Sequence, residues 1–183
     1  MDNTKLSTNC TVKQYRNYKK KGDRGKIADL IYERFYERYI EPFENNPAKH
    51  EFSMMAVACL MIESLFCFQR GRKKTGEAGG VVFAAFFSGS KQLTVFVGHG
   101  GDFYTNVRCG ILHQGKTYDG WLIVRKGALF QSSKKTINAT KFHAALELEL
   151  RAYTDRLRKE SFRETAWRAA IRKLDHICDN CLA

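Results

Sequence analysis

Residues 102–113, DFYTNVRCGILH, place an asparagine, an arginine, a cysteine and a histidine within one stretch of helical periodicity. At about 100° per residue, Phe103, Tyr104, Val107 and Ile111 form an apolar stripe, while Asp102, Thr105, Asn106, Cys109 and His113 fall on the opposite side. Arg108 lies between the two faces, and its long stem lets the guanidinium reach either edge. These are residue types of proton transfer and anion recognition. Histidine titrates near neutrality, and arginine is always charged, with a planar fork of donors that matches phosphate. A second feature lies upstream, where Glu63 is the only charge between Glu51 and Arg70 and projects into a stripe of Phe52, Ala56, Cys59 and Cys67. A carboxylate there must be paired or protonated, since burying an isolated ionised group costs several kcal/mol or more. Arg108 is the expected partner; the alternative is that Glu63 reaches water at the end of a bundle. For His113 the alternative is a cap on a helix C-terminus, where the dipole favours a cationic ring.

Helical elements must position these residues. Ile27, Leu30, Ile31, Phe35 and Tyr39 recur at helical spacing over residues 25–44, until Pro42 and the Asn-Asn-Pro of 45–47 interrupt. Residues 51–69 are apolar nearly all round, as a central helix requires. Residues 71–80 hold four glycines and read as a loop, 81–87 as a short buried segment and 92–97 as a strand-like alternation. Gly115 closes the helix that carries Arg108, and 121–124 with 128–130 flank Arg-Lys-Gly like a small hairpin. Asn138 can cap a long helix to about Arg158, with a last helix over 162–177. The expected fold is mainly α, a four- to five-helix bundle with a small β-hairpin insertion. Residues 1–24 read as a basic N-terminal arm, 25–160 as the helical domain, and 161–183 as a basic C-terminal helix packed on it.

The formal charge of +12 favours polyanionic partners. Residues 12–26 carry seven basic side chains and one acid, with Tyr15 and Tyr18 interleaved, as suits phosphate contacts and base stacking. Lys19, Lys20, Lys21, Arg72, Lys73 and Lys74 are the assigned phosphate contacts, and residues 151–173 add eight basic side chains against three acids. A DNA-binding regulator would need a helix-turn-helix with a recognition helix, and no convincing one is present. No charge-free apolar run of spanning length occurs and the first residues have no apolar core, so a cytoplasmic protein without membrane contact is expected. Six cysteines are then free thiols. His176, Cys178 and Cys181 have metal-ligand types but no second pair, and neither metal nor cofactor is assigned.

The run from Phe103 to Gln114 resembles the signature of the HEPN superfamily, helical ribonuclease-like domains marked by an arginine and a histidine four to six residues apart, here Arg108 and His113. The order of an apolar helix before the motif and a long helix after it is also similar. The resemblance covers residues 25–160 and implies a metal-independent endoribonuclease. In that reading His113 is the base for the 2′-hydroxyl and Arg108 stabilises the charged phosphorane, with Asn106, Cys109 and Glu63 in support. It implies RNA as substrate, a homodimer in which two such pairs share a cleft, and by analogy a toxin or antiviral defence effector with a regulatory or antitoxin protein partner. Phe142, Leu146, Leu150 and Tyr153 recur at helical spacing and offer an apolar face for that dimer. Two departures stand out: Cys109 follows the arginine where the family commonly has Asn, Asp or His, and Gly115 replaces a tyrosine found in some toxin members. A non-catalytic RNA-binding or scaffold domain on the same fold is the alternative.

Overall fold

The computed structural model describes residues 3–44, 47–48, 50–76 and 79–181, and among them the chain is mainly helical with two small sheets. Two compact units form: residues 1–42, 67–74 and 150–183 in one, residues 43–66 and 75–149 in the other.

In the first unit β1 (Lys5–Ser7) and β2 (Cys10–Thr11) pair antiparallel. α1 (Val12–Lys21) starts at a reciprocal cap between Thr11 and Gln14 and stops at Gly22, whose φ of 68° is the left-handed conformation glycine adopts without strain. Asp23 then caps α2 (Arg24–Phe35), which runs into a π-helical turn, Tyr36–Ile40. Residues 1–24 are therefore no free arm over their described part. Val12 and Tyr15 are fully buried, and the Tyr15 hydroxyl donates to Asp175 at 2.9 Å. The rest of this unit comes from the end of α3 (Glu51–Arg70), the second half of α7 (Ala139–Lys159) and α8 (Thr165–Asn180). Phe35 meets Phe68 edge-on at 5.2 Å, and the buried Trp167 donates its indole N–H to the Leu157 carbonyl at 2.7 Å.

The second unit is built on an aromatic cluster. Phe103 lies 5.3 Å from Phe83, 5.2 Å from Phe87 and 5.5 Å from Phe142, and Phe130 stacks on Phe96 at 4.6 Å and on Trp121 at 5.5 Å. The buried segment at 81–87 belongs to a helix, α4 (Gly79–Gly89). Residues 92–97 are not a strand: the Gln92 N–H donates to Glu149 and the Leu93 N–H to Ser90, and a 3-10 turn, Thr94–Phe96, follows. The alternation of Leu93, Val95 and Val97 does not make a strand because side-chain hydrogen bonds to the neighbouring Ser90 and the distant Glu149, invisible to periodicity, turn the chain. The hairpin expectation also fails. β3 (Leu122–Val124) and β4 (Phe130–Gln131) do not pair with each other but flank β5 (Thr136–Asn138), β3 parallel and β4 antiparallel. Asn138 caps α7 as expected, its Oδ1 accepting from the Lys141 N–H at 3.0 Å.

Phe142, Leu146, Leu150 and Tyr153 are core residues, at 0%, 0%, 0% and 6% exposure, and so form no external face. Among the described residues the exposed large apolar side chains are instead Phe52, Leu60, Val81, Val95, Val97, Leu112, Leu122 and Leu148, all within the second unit. Among the described residues α3 alone is long and apolar enough to cross a membrane, although it carries Glu63; 56% of its apolar window is buried within the protein. Of the interruption expected at 45–47, only Pro47 lies within the described residues.

Candidate functional site

The helical run at 100–114 is not the uniform α-helix its wheel assumed. It consists of α5 (Gly100–Asp102), a π-helix (Phe103–Cys109) and α6 (Gly110–Gln114), ended by Gly115 at φ 66°. π-Helical turns are rare and concentrate at functional sites. Their wider turn leaves carbonyls without an ordinary helical partner, and here the Tyr118 N–H donates to the Asn106 carbonyl at 2.8 Å. Glycine makes the surrounding approach feasible. A Cβ on Gly100 would overlap the Ala84 backbone, and one on Gly110 would stand 2.6 Å from the Lys116 carbonyl oxygen. Gly110 lies between Arg108 and His113, so the 116–118 segment packs against the helix between them.

The expected Glu63–Arg108 pair is present: Arg108 Nε donates to Glu63 Oε1 at 3.0 Å, with side-chain exposures of 21% and 22%. Burial opposes the guanidinium's charge, but the adjacent Glu63 carboxylate outweighs it, and the Arg108 pKa stands above the ordinary arginine value. The wheel misplaced Tyr104. Instead of joining the apolar stripe of Phe103, Val107 and Ile111, which is buried, its ring lies half-buried beneath Arg108, 5.5 Å from centroid to guanidinium carbon. A π-helix brings positions i and i+5 into line, and a hydrogen bond with Cys109, followed by burial, raises the Tyr104 pKa. The signal that could have found Tyr104 is its position four residues before Arg108. Gly79 leaves room for the ring, since a Cβ there would overlap it.

Glu63, Thr75, Gly79, Val82, Tyr104 and Arg108 line a cavity of about 100 Å³. At about 30 Å³ per water this holds roughly three waters or one phosphoryl group, but no nucleoside. His113 does not line it; it is exposed, five residues on and about 7.5 Å farther along the helix axis at 1.5 Å per residue. Asn106 is half-buried and contributes its carbonyl to the Tyr118 hydrogen bond rather than a side chain to the cavity. The structure thus joins Arg108, Glu63 and Cys109 with the unforeseen Tyr104, and leaves His113 at the adjoining surface.

The basic residues divide sharply. The first unit carries 22 Lys and Arg against 11 Asp and Glu, a net of +11, and the second 9 against 8, a net of +1. Lys20, Lys21, Lys73 and Lys74 are exposed, Tyr18 and Arg72 half-buried, and Lys19 is bridged to Asp175 at 2.7 Å. Tyr15 is removed from the stacking set by its full burial. At the C-terminal end Cys178 is buried and His176 lies 3.2 Å from Asn180; among the described residues no group of three or more metal-ligating side chains assembles. Compared with known families, curated proteins and solved structures, the chain matches none.

Proposed function

We propose that the chain is a metal-independent endoribonuclease of HEPN type, with Arg108 and His113 as its catalytic residues. The observation that carries this reading is the fixed Arg108. Glu63 holds its Nε at 3.0 Å beside a cavity the size of a phosphoryl group, on a helical run that ends with an exposed histidine. A guanidinium held through Nε keeps its terminal N–H groups for the non-bridging oxygens of a phosphodiester. His113 takes the proton from the 2′-hydroxyl, the 2′-oxygen bonds to phosphorus, and the P–O5′ bond breaks. The departing 5′-oxygen takes a proton from water, leaving a 2′,3′-cyclic phosphate and a 5′-hydroxyl.

A second copy of the chain would supply a second Arg108–His113 pair. The basis for a homodimer is the family resemblance together with Phe52 and Leu60, exposed on the α3 face that also carries Ala56 and Glu63. The exposed lysines supply the salt-dependent hold on RNA. The toxin or defence role and the protein partner rest on analogy. A second reading, a non-catalytic RNA-binding or scaffold domain, is favoured by the concentration of +11 charge in the unit that lacks Arg108.

Incubation of the purified chain with RNA in EDTA, with end-group analysis, separates the two. Cyclic phosphate ends that disappear in His113→Ala support the enzyme. His113 is exposed, so this variant should melt within about 0.5 kcal/mol of wild type. Cleavage should fall by about 10² to 10⁴, as for a missing general base. Equal cleavage by wild type and variant refutes the enzymatic reading.

A further inference from the structure

α8 runs into Cys178-Asp-Asn-Cys181, two thiols in a C-x-x-C spacing. This spacing serves thiol–disulfide chemistry because residues three apart are neighbours on a helix surface. Both cysteines are free in this structure, Cys178 buried at 2% exposure and Cys181 half-buried.

The backbone brings the pair within reach of a bond. Residues three apart on an α-helix have Cα atoms about 5 Å apart, from a rise of about 1.5 Å and a turn of about 100° per residue at a radius of about 2.3 Å. Disulfides span roughly 4.4–6.8 Å between Cα atoms. The Cβ atoms are about 5–6 Å apart at this spacing and about 3.8 Å apart in a disulfide, so closure must draw them together by about 1–2 Å. The last turn is where the helix can yield. Cys181 is the C-cap, and its N–H is shared between the Ile177 carbonyl at 3.2 Å and the Cys178 carbonyl at 3.1 Å rather than committed to one partner.

The surroundings divide the roles of the two sulfurs. Burial, with Cys181 and Asp175 adding to it, pushes the Cys178 thiol up to about 11, so near neutral pH it keeps its proton. Cys181 is the thiol that a small molecule can reach. The negative end of the helix and the exposed Asp179 work against a thiolate here. Arg34 works for one: this half-buried guanidinium donates to the Leu6 carbonyl at 2.7 Å and lies within reach of the charge of both sulfurs, and Arg16 acts on Cys178 in the same sense. Reactive cysteines are marked by such cationic, partly exposed surroundings.

We infer that Cys178 and Cys181 are a reversible dithiol–disulfide pair, with Cys181 the entry thiol and Cys178 the resolving thiol. The oxidant is a small-molecule disulfide. The Cys181 thiolate attacks one of its sulfurs, forming a mixed disulfide and releasing one thiolate, which takes up the proton that Cys181 gave up. Cys178 loses its proton to water, attacks the Cys181 sulfur and expels the second thiolate, which is protonated in turn. Two protein thiols are oxidised to one disulfide and the small disulfide is reduced to two thiols. The site is separate from Arg108 and does not depend on the ribonuclease reading.

The test uses the full chain in glutathione buffers from reducing to oxidising at about pH 8, where enough thiolate is present for exchange. Samples are quenched in acid, alkylated and digested with trypsin. Cleavage after Lys173 leaves both cysteines in one peptide, 174–183. The expected product is that peptide two hydrogens lighter and unalkylated, returning to the alkylated form when reduced glutathione is restored. Cys178→Ala should trap glutathione on Cys181, and Cys181→Ser should leave Cys178 unmodified. Should either variant melt far below wild type, the wild-type peptide mass and its return on reduction decide alone. The proposal is overturned if peptide 174–183 stays alkylated at the oxidising end, or if wild type holds glutathione on Cys181 as stably as Cys178→Ala does. A disulfide that joins Cys10 or a second chain, or one that forms only in urea, would overturn it equally.

Discussion

Removing Arg108 tests the ion pair and the site together. Two unit charges about 4 Å apart attract by about 4 kcal/mol at the effective dielectric of 20 that suits partly buried groups. Desolvation offsets much of that while both partners are present, so the informative quantity is the cost of stranding Glu63. Breaking a fully buried pair from one side costs about 3–5 kcal/mol. With both side chains about one-fifth exposed, at 21% and 22%, water softens the penalty. About 2–3 kcal/mol is expected for Arg108→Ala, or about 5–10 °C of melting temperature for a chain of this size. Adding Glu63→Gln removes the stranded charge and should recover at least about 1 kcal/mol, while any cleavage activity stays abolished. Arg108→Lys keeps the charge but loses the Nε geometry, and should retain stability better than activity. The assay is a double-mutant cycle by urea unfolding beside cleavage in EDTA. Additive free energies, or Arg108→Ala melting within about 1 °C of wild type, would show a solvated pair and refute the reasoning.

Further outcomes follow from other parts of the molecule. Gly110→Ala in a helix would ordinarily stabilise by about 0.5–1 kcal/mol, yet the new Cβ would meet the Lys116 carbonyl oxygen at 2.6 Å, so a loss of about 1–3 kcal/mol is expected in urea unfolding. A gain in stability would mean that the 116–118 segment does not pack there. Neutralising Lys20, Lys21, Lys73 and Lys74 should weaken binding to all single-stranded RNAs alike and flatten log K against log salt by about one unit for each phosphate no longer neutralised. An unchanged slope would leave these residues a solvated surface. Burial pushes the Cys10 and Cys178 thiols up from 9.0 to about 11, so their neutral forms stabilise the fold fully below about pH 9, and that contribution is lost as pH rises to about 11. A urea midpoint unchanged between about pH 8 and pH 10.5 would contradict the assignment.

The helical class, the cap at Asn138, the closing Gly115 and the need of Glu63 for a cation were all legible in the order of residues alone. Each depends on residues close in the chain or on a rule that admits few solutions, such as a lone carboxylate in an apolar helix requiring a partner. The remaining features arise from packing between distant segments. Tyr15 looked like a stacking residue because its neighbours are basic, but its hydroxyl partner Asp175 is 160 residues away and its ring is core. Phe142, Leu146, Leu150 and Tyr153 looked like surplus apolar area because periodicity reports a face and not what covers it. The three-stranded sheet joins segments whose spacing suggested a hairpin, since β5, at the entry to α7, takes the middle place. Tyr104 counted as part of an apolar stripe, yet it sits four residues before Arg108 on a π-helical segment and its ring meets the guanidinium, while the Tyr118 N–H from a later loop takes the Asn106 carbonyl. The end of α3 closes onto α8 through the left-handed turn at Gly71, beside Ala169, and such long-range closure leaves no trace in local spacing.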